Sequence, residues 1–299
     1  MRERIWDVGR PVDLLGTLGP LRRGTGDPAH RVDAEGFWWA CRTPDGPGTV
    51  LLAAKGPRVH ARAWGAGADW LLGRVPNLLG EQDDWSRLDL RSEPRLGEVL
   101  RRRPGVRLCA TALVLDALVP AILEQKVTGH EARRSWRHLL YRFGEPAPGP
   151  VRMRVPPAPA ALLDITTWDW HRLGVDLRRQ RAIRAAATVA HRLEECVTLA
   201  PDAALARLRV VPGIGVWTAA ETAQRALGHP DAVSVGDYHL PNMVVHLLTG
   251  RPRGTDAEML DLLAPWAGQR QRVMRLVELT GVAAPRYGPR FAYPDIRAM

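Results

Sequence analysis

The segment Leu208-Arg209-Val210-Val211-Pro212-Gly213-Ile214-Gly215-Val216-Trp217-Thr218-Ala219-Ala220 holds the residues whose order most plainly suggests a chemical task. Pro212 stops one helix, and Gly213 and Gly215 open backbone conformations closed to other residues. A new helix is expected from about Val216. Small residues on both sides of Ile214 let an anion approach the main chain. The first turn of the following helix offers free N–H groups and the positive end of its dipole. These are the requirements for holding a phosphate, and a nucleic-acid backbone can be gripped in this way without regard to base sequence. Pro212, Gly213, Ile214, Gly215 and Thr218 are therefore the candidate backbone-binding residues. A lone Gly-x-Gly also occurs as a plain helix C-cap, but a Pro-Gly-Ile-Gly turn between two amphipathic helices is a much more specific signal.

A second group lies downstream, in Ala232-Val233-Ser234-Val235-Gly236-Asp237-Tyr238-His239-Leu240-Pro241-Asn242. Asp237 follows a short apolar run and precedes a helix. Taken alone, an acid in that setting reads as an N-cap. His239, placed one turn into that helix, reads as a solvated or capping residue.

The elements that must position these groups fall into two parts. Residues 1–100 are expected to form a small, sheet-rich domain. Phe37–Arg42 and Thr49–Ala54 flank the turn-rich Thr43-Pro44-Asp45-Gly46-Pro47-Gly48, as in a hairpin. Val59–Trp64 alternates apolar and polar residues, as a strand with one wet face does, and Ala68–Leu79 suits a short helix. Residues 101–299 are expected to form an all-α domain with a basic tail. Apolar residues recur at helical spacing from Leu113 to Leu123, from Ala132 to Phe143 and from Arg178 to Glu195. Pro201-Asp202 opens a helix through Leu208. Residues 144–160, with six prolines, read as a surface loop. The fold class is thus α+β: a small antiparallel sheet with a helix, then a helical domain. Trp168 and Trp170 read as core. Gln269-Arg270-Gln271-Arg272 and Arg275 read as a solvated face, and Arg290 in the tail as one more exposed charge.

Composition narrows the function classes. With 299 residues and 45% apolar side chains, the chain can bury two cores. It contains no apolar run long enough to span a bilayer, and Met1-Arg2-Glu3-Arg4-Ile5-Trp6-Asp7 does not read as a signal peptide. Cys41, Cys109 and Cys196 are few, odd in number and far apart, which argues against a disulfide framework or a local metal site. A cytoplasmic setting is expected, with no metal or other cofactor. Net charge is +10, and residues 1–100 hold 14 basic and 14 acidic residues, so the entire excess lies beyond residue 100. A basic surface there favours a polyanion partner.

With the hairpin, Asp237 and the helical second half together, the chain resembles the helix–hairpin–helix DNA glycosylases. Among these it is most similar to the bacterial 3-methyladenine DNA glycosylase II branch, whose small sheet domain the strand-rich start matches in pattern. Ile122-Leu123-Glu124-Gln125-Lys126-Val127-Thr128 resembles the Gln-containing loop that enters DNA at the lesion, which implies that role for Gln125 and Lys126. Leu173–Ala182 resembles the segment before the hairpin, and Pro265-Trp266 with its following helix the close of the fold. The superfamily places a catalytic aspartate at the start of a later helix, and Asp237 lies 22 residues after Gly215, at the implied spacing. The resemblance thus implies Asp237 as the catalytic carboxylate and Trp217, Tyr238 and Glu221 as residues of the base pocket.

One carboxylate can serve this chemistry. Breaking the C1′–N bond builds positive charge on the sugar, which a desolvated anion stabilises most in the transition state. The same carboxylate can orient or deprotonate the attacking water. The base must first leave the stack.

The bifunctional branches place a lysine where this chain has Trp217, and the cluster-containing branches carry four C-terminal cysteines, whereas no Cys follows Cys196. The implied activity is monofunctional hydrolysis by a monomer on double-stranded DNA with damaged bases, N-alkylated purines such as 3-methyladenine first among them. A silent DNA-binding protein of the same fold, and a glycosylase for another lesion, remain alternatives. Two residues depart from the pattern of the branch: Glu221 replaces a second pocket aromatic, and Lys126 replaces an apolar wedge.

Overall fold

The computed structural model describes residues 1–285. Arg290 lies outside the described residues. Five strands, β1 (Arg2–Asp7), β2 (His30–Asp33), β3 (Gly36–Thr43), β4 (Gly46–Lys55) and β5 (Arg58–Gly65), form one antiparallel sheet in the order β1-β5-β4-β3-β2. Alternation along β3 sends Phe37, Trp39 and Cys41 to one face and Trp38 and Ala40 to the other. The first face packs on the helix Ala68–Leu78 through Leu71, Leu72, Val75 and Leu78.

Three sequence expectations change here. The second face of the sheet is not wet at its centre, because Met153 and Val155 of the Pro-rich segment cover Trp38, Ala40 and Leu51. That segment is more than a surface loop: Glu145–Pro146 pairs with Arg154–Val155, and a helix starts at Pro159. Met1–Asp7, read only for its charges, supplies an edge strand. Charged residues suit an edge, where they discourage pairing with another chain.

The helices form two further cores. One gathers the helices Val114–Leu123, Gly129–Phe143, Leu177–Thr188, Pro201–Arg209 and Val216–Ala226 around Leu118, Ile122, Trp136, Trp170 and Ile183. The other gathers Leu240–Thr249, Asp256–Leu263 and Arg270–Leu279, joined by Trp85 and the helix Pro94–Arg102. Trp170 is fully buried as expected, whereas Trp168 is 63% exposed and stacks on His171, because it faces outward on its one-and-a-half-turn helix. The Arg178–Glu195 helix is two pieces, breaking at Val189. Among the described residues no helix is long and apolar enough to cross a membrane.

Where sheet meets helices, Asp116 lies near the buried carboxylate of Glu194, which accepts from the N–H groups of Val114 (2.8 Å) and Leu115 (2.9 Å). Burial, and then the charge of Glu194, push the Asp116 carboxyl up to about 7. A carboxyl raised in the folded state favours folding when protonated. Its contribution is complete below about pH 4 and is lost as pH rises through 7. Asp116→Asn keeps the shape and removes the ionisation. It is expected to leave stability at pH 4 nearly unchanged and to raise it by about 4 kcal/mol at pH 8. Denaturant melts from pH 4 to 8 check this, and parallel pH slopes for parent and variant would refute it.

Candidate active site and nucleic-acid interface

The hairpin is formed by the helices Pro201–Arg209 and Val216–Ala226 with the turn between them. Ile214 is buried and anchors the turn in the helical core, while Pro212, Gly213 and Gly215 are exposed. Gly213 has φ +90, and a Cβ there would meet the Ala182 Cβ at 2.8 Å, so both conformation and space demand glycine. Gly215 differs from the sequence expectation. Its φ of −92 suits any residue, and a Cβ would meet no protein atom. Its small size therefore leaves open the space beyond the turn. No side chain caps the second helix, so its first N–H groups lack side-chain partners.

Thr218 is buried, and its Oγ1 accepts from Gln125 Nε2 at 2.8 Å. The same Nε2 also donates to Gly213 O at 3.0 Å, so the side chain ties its loop to the hairpin rather than projecting. Lys126 does project. It is exposed and adopts φ +54, a left-handed conformation that costs a residue with a Cβ about 1 kcal/mol. Glu124, beside them, pairs with Arg23 at 2.8 Å.

Asp237 is held through both oxygens. Oδ1 accepts from the N–H groups of His239 (2.7 Å) and Leu240 (2.9 Å), capping the helix Leu240–Thr249. Oδ2 accepts from the Trp217 indole at 3.1 Å. Structural anchoring and chemistry are thus compatible: these bonds fix the carboxylate, and the residue lines a ligand-sized cavity. His239 immediately precedes the helix instead of lying one turn inside it, with its N–H bonded to Asp237 Oδ1.

The cavity has a volume of about 260 Å³. Asp237, Glu221, Ser234, Met243 and Gln271 are among its walls. A cavity of roughly 150 Å³ accepts benzene, so a bicyclic base has room. Of the four residues assigned to catalysis and base binding, Asp237 and Glu221 line it. Trp217 does not, since its indole N–H is turned to Asp237, and Tyr238 is 80% exposed with its ring edge-on to His239. Glu221 accepts from Ser234 Oγ at 2.6 Å and pairs with Arg225 at 2.8 Å. Burial alone would lower the Arg225 guanidinium, yet Glu221 and its neighbours hold it above its usual value.

Sequence reasoning missed Gln224, Ser234, Arg225 and Gln271 as wall residues. It also read the last helix as solvated. Instead Arg272 is buried on Asp83 at 2.7 Å, Arg275 donates to Gly16 O at 2.6 Å, and Arg270 pairs with Asp231. Their acidic and carbonyl partners lie 39 to 259 residues away in sequence, beyond any local pattern.

No family model matches the chain. Over 158 residues, half of this chain, it is 30% identical to the probable bifunctional transcriptional activator/DNA repair enzyme AlkA of Mycobacterium tuberculosis. The match covers only 31% of that relative's length. Among solved structures, the chain is similar to the 3-methyladenine DNA glycosylase of Archaeoglobus fulgidus, with TM-score 0.78 and 17% identity. That similarity covers 92% of this chain and 97% of the other. It is also similar to an 8-oxoguanine glycosylase/lyase of Clostridium acetobutylicum in complex with DNA, with TM-score 0.69 and 12% identity over 91% and 92% of the two chains. The chain thus shares the fold of these solved DNA glycosylases.

Proposed function

We propose that this chain is a DNA glycosylase that extrudes a damaged base from double-stranded DNA and hydrolyses its N-glycosidic bond as a monomer. The carrying observation is the placement of Asp237, held at both oxygens, in the wall of a base-sized cavity. The hairpin Pro212–Gly215 holds the DNA backbone, and the exposed Lys126 meets the duplex where the base leaves. Inside the cavity, Asp237 stabilises positive charge developing on the sugar and directs water to C1′. Alkylated or oxidised bases are the substrate class, and an N-alkylated purine such as 3-methyladenine falls within it. Support comes from the fold, from the partial likeness to a DNA repair enzyme and from the excess of basic residues beyond residue 100.

The test is release of free base from duplexes carrying defined lesions. Base release with an alkali-labile strand supports the reading, and tight binding without release leaves a silent DNA-binding protein.

Hydrolysis is proposed to proceed without a covalent intermediate. The chain has two lysines, Lys55 at the end of β4 and Lys126 in the exposed loop, and Trp217 stands where an imine-forming amine would be required. The product is therefore expected to be an intact abasic strand, cut only after alkali, with no borohydride-trapped adduct. A trapped adduct that disappears in Lys126→Ala would make Lys126 a catalytic amine instead.

A further inference from the structure

Resting on the reading of the Lys126 loop as the part that meets the duplex where the base leaves, we propose that Arg23 and Glu124 are positioning residues for base extrusion. Through this pair a strap of chain next to the sheet sets the loop against the cavity. The strap, residues 20–30, runs from the short helical turn ending at Leu21 to β2. On it, the buried Arg23 donates from Nη1 to both carboxylate oxygens of Glu124, at 3.0 and 2.8 Å. Glu124 directly follows the helix Val114–Leu123 and forms the root of the loop. The same strap holds the far side of the loop. Asp27 Oδ1 accepts at 2.9 Å from the indole of Trp136, on the helix Gly129–Phe143 that follows the loop. Asp27 Oδ2 accepts from the Arg23 backbone N–H at 2.7 Å, which joins the two fastenings. A third reaches the cavity wall: Arg225, paired there with Glu221, donates from Nε to Pro20 O at 3.0 Å. Loop and cavity wall thus hang on one stretch of backbone.

Lys126 shows why the loop needs such anchors. Its φ of +54 is left-handed, and a residue with a Cβ keeps that conformation only where its surroundings impose it. Three ties surround it: Glu124 on Arg23, Gln125 on Gly213 O, and Thr128, which caps the next helix. The first joins residues 101 apart in sequence. An exposed ion pair would hold the loop weakly, but the Arg23 side chain is shielded from water, so a broken pair leaves a buried charge without its partner. A loop shifted by about 1 Å meets the duplex out of line with the cavity, which slows extrusion and leaves the backbone grip of the hairpin untouched.

The test uses the full chain and duplexes carrying 7-methylguanine or 8-oxoguanine, each placed opposite cytosine and, separately, opposite thymine. The mispair with thymine gives up its base at lower cost. In Glu124→Gln, single-turnover release from the pair with cytosine is expected to fall by about tenfold or more. Affinity for plain duplex is expected to stay within about twofold of the parent, since the hairpin is unchanged. Opposite thymine the loss is expected to be at least about threefold smaller, because less extrusion work is left for the loop to assist. A pair that served stability alone would lower the melting temperature and slow release equally in both contexts. If thermal melts show that Glu124→Gln does not fold, Arg23→Met combined with Glu124→Gln removes both charges together and is expected to show the same dependence on the opposite base. Undiminished release, or equal losses opposite cytosine and thymine, overturns the positioning role while the glycosylase reading stands. Release of neither lesion by the parent chain overturns the proposed substrate class and this inference with it.

Discussion

Asp237→Asn is expected to bind lesion-containing and plain duplexes about as well as the parent while single-turnover base release falls by about a hundredfold or more. That corresponds to at least about 3 kcal/mol in the barrier. The substitution keeps the outline of the side chain and removes its charge. Asparagine is as good a helix cap as aspartate, so one oxygen can still accept from His239 and Leu240. Its NH2 then faces the Trp217 indole N–H, a donor against a donor. Trp217→Phe isolates that contribution by removing the indole donor while keeping the charge on Asp237. Its loss of release is expected to be clearly smaller than that of Asp237→Asn, because the ring positions the carboxylate rather than supplying charge. A folded Asp237→Asn protein that released base at near-parental rates would remove Asp237 from the chemistry and leave it a capping residue.

Gly215→Val is expected to weaken binding to damaged and undamaged duplex by the same factor, about tenfold or more, on the order of 1.4 kcal/mol or above. The structure makes this test unusually clean. Backbone conformation at Gly215 suits any residue, and an added Cβ meets no protein atom, so the fold has little reason to change. Valine occupies only the space from which a phosphate would reach the uncapped N–H groups of the helix Val216–Ala226. The neighbouring Gly213 would not serve, since a side chain there collides with Ala182. Affinity measured against salt concentration, after circular dichroism confirms folding, checks the expectation. A folded variant with parental affinity for plain duplex would reduce the hairpin to a structural turn.

Local chemistry and periodicity explain what the sequence made legible. The hairpin glycines, the strand alternation around Phe37–Thr43 and the acid before Leu240 are each short-range signals, and the sheet and helices follow from them. The cavity is a different matter. Its walls come from chain segments near residues 17, 108, 221, 234 and 271, and no periodicity announces their convergence. Gln271 was hidden in a helix whose arginines suggest solvent, because their partners Asp83, Asp231 and Gly16 are remote in sequence. The role of Trp217 was hidden for another reason. An aromatic residue suggests a π face, whereas its N–H is what this chain uses on Asp237.

The bond from Gln125 to the hairpin has a thermodynamic consequence. One amide nitrogen joins the loop that carries Lys126 to both the turn carbonyl of Gly213 and the hydroxyl of Thr218. A phosphate that draws the Gly213 turn toward it changes the same hydrogen bonds that set the position of the loop. On the proposed function, backbone grip and base extrusion would share a coupling free energy, and by reciprocity an extruded base would tighten the grip by the factor with which the grip promotes extrusion. Binding intact DNA and binding at a lesion would then be two states of one linked equilibrium, with Gln125 as the link.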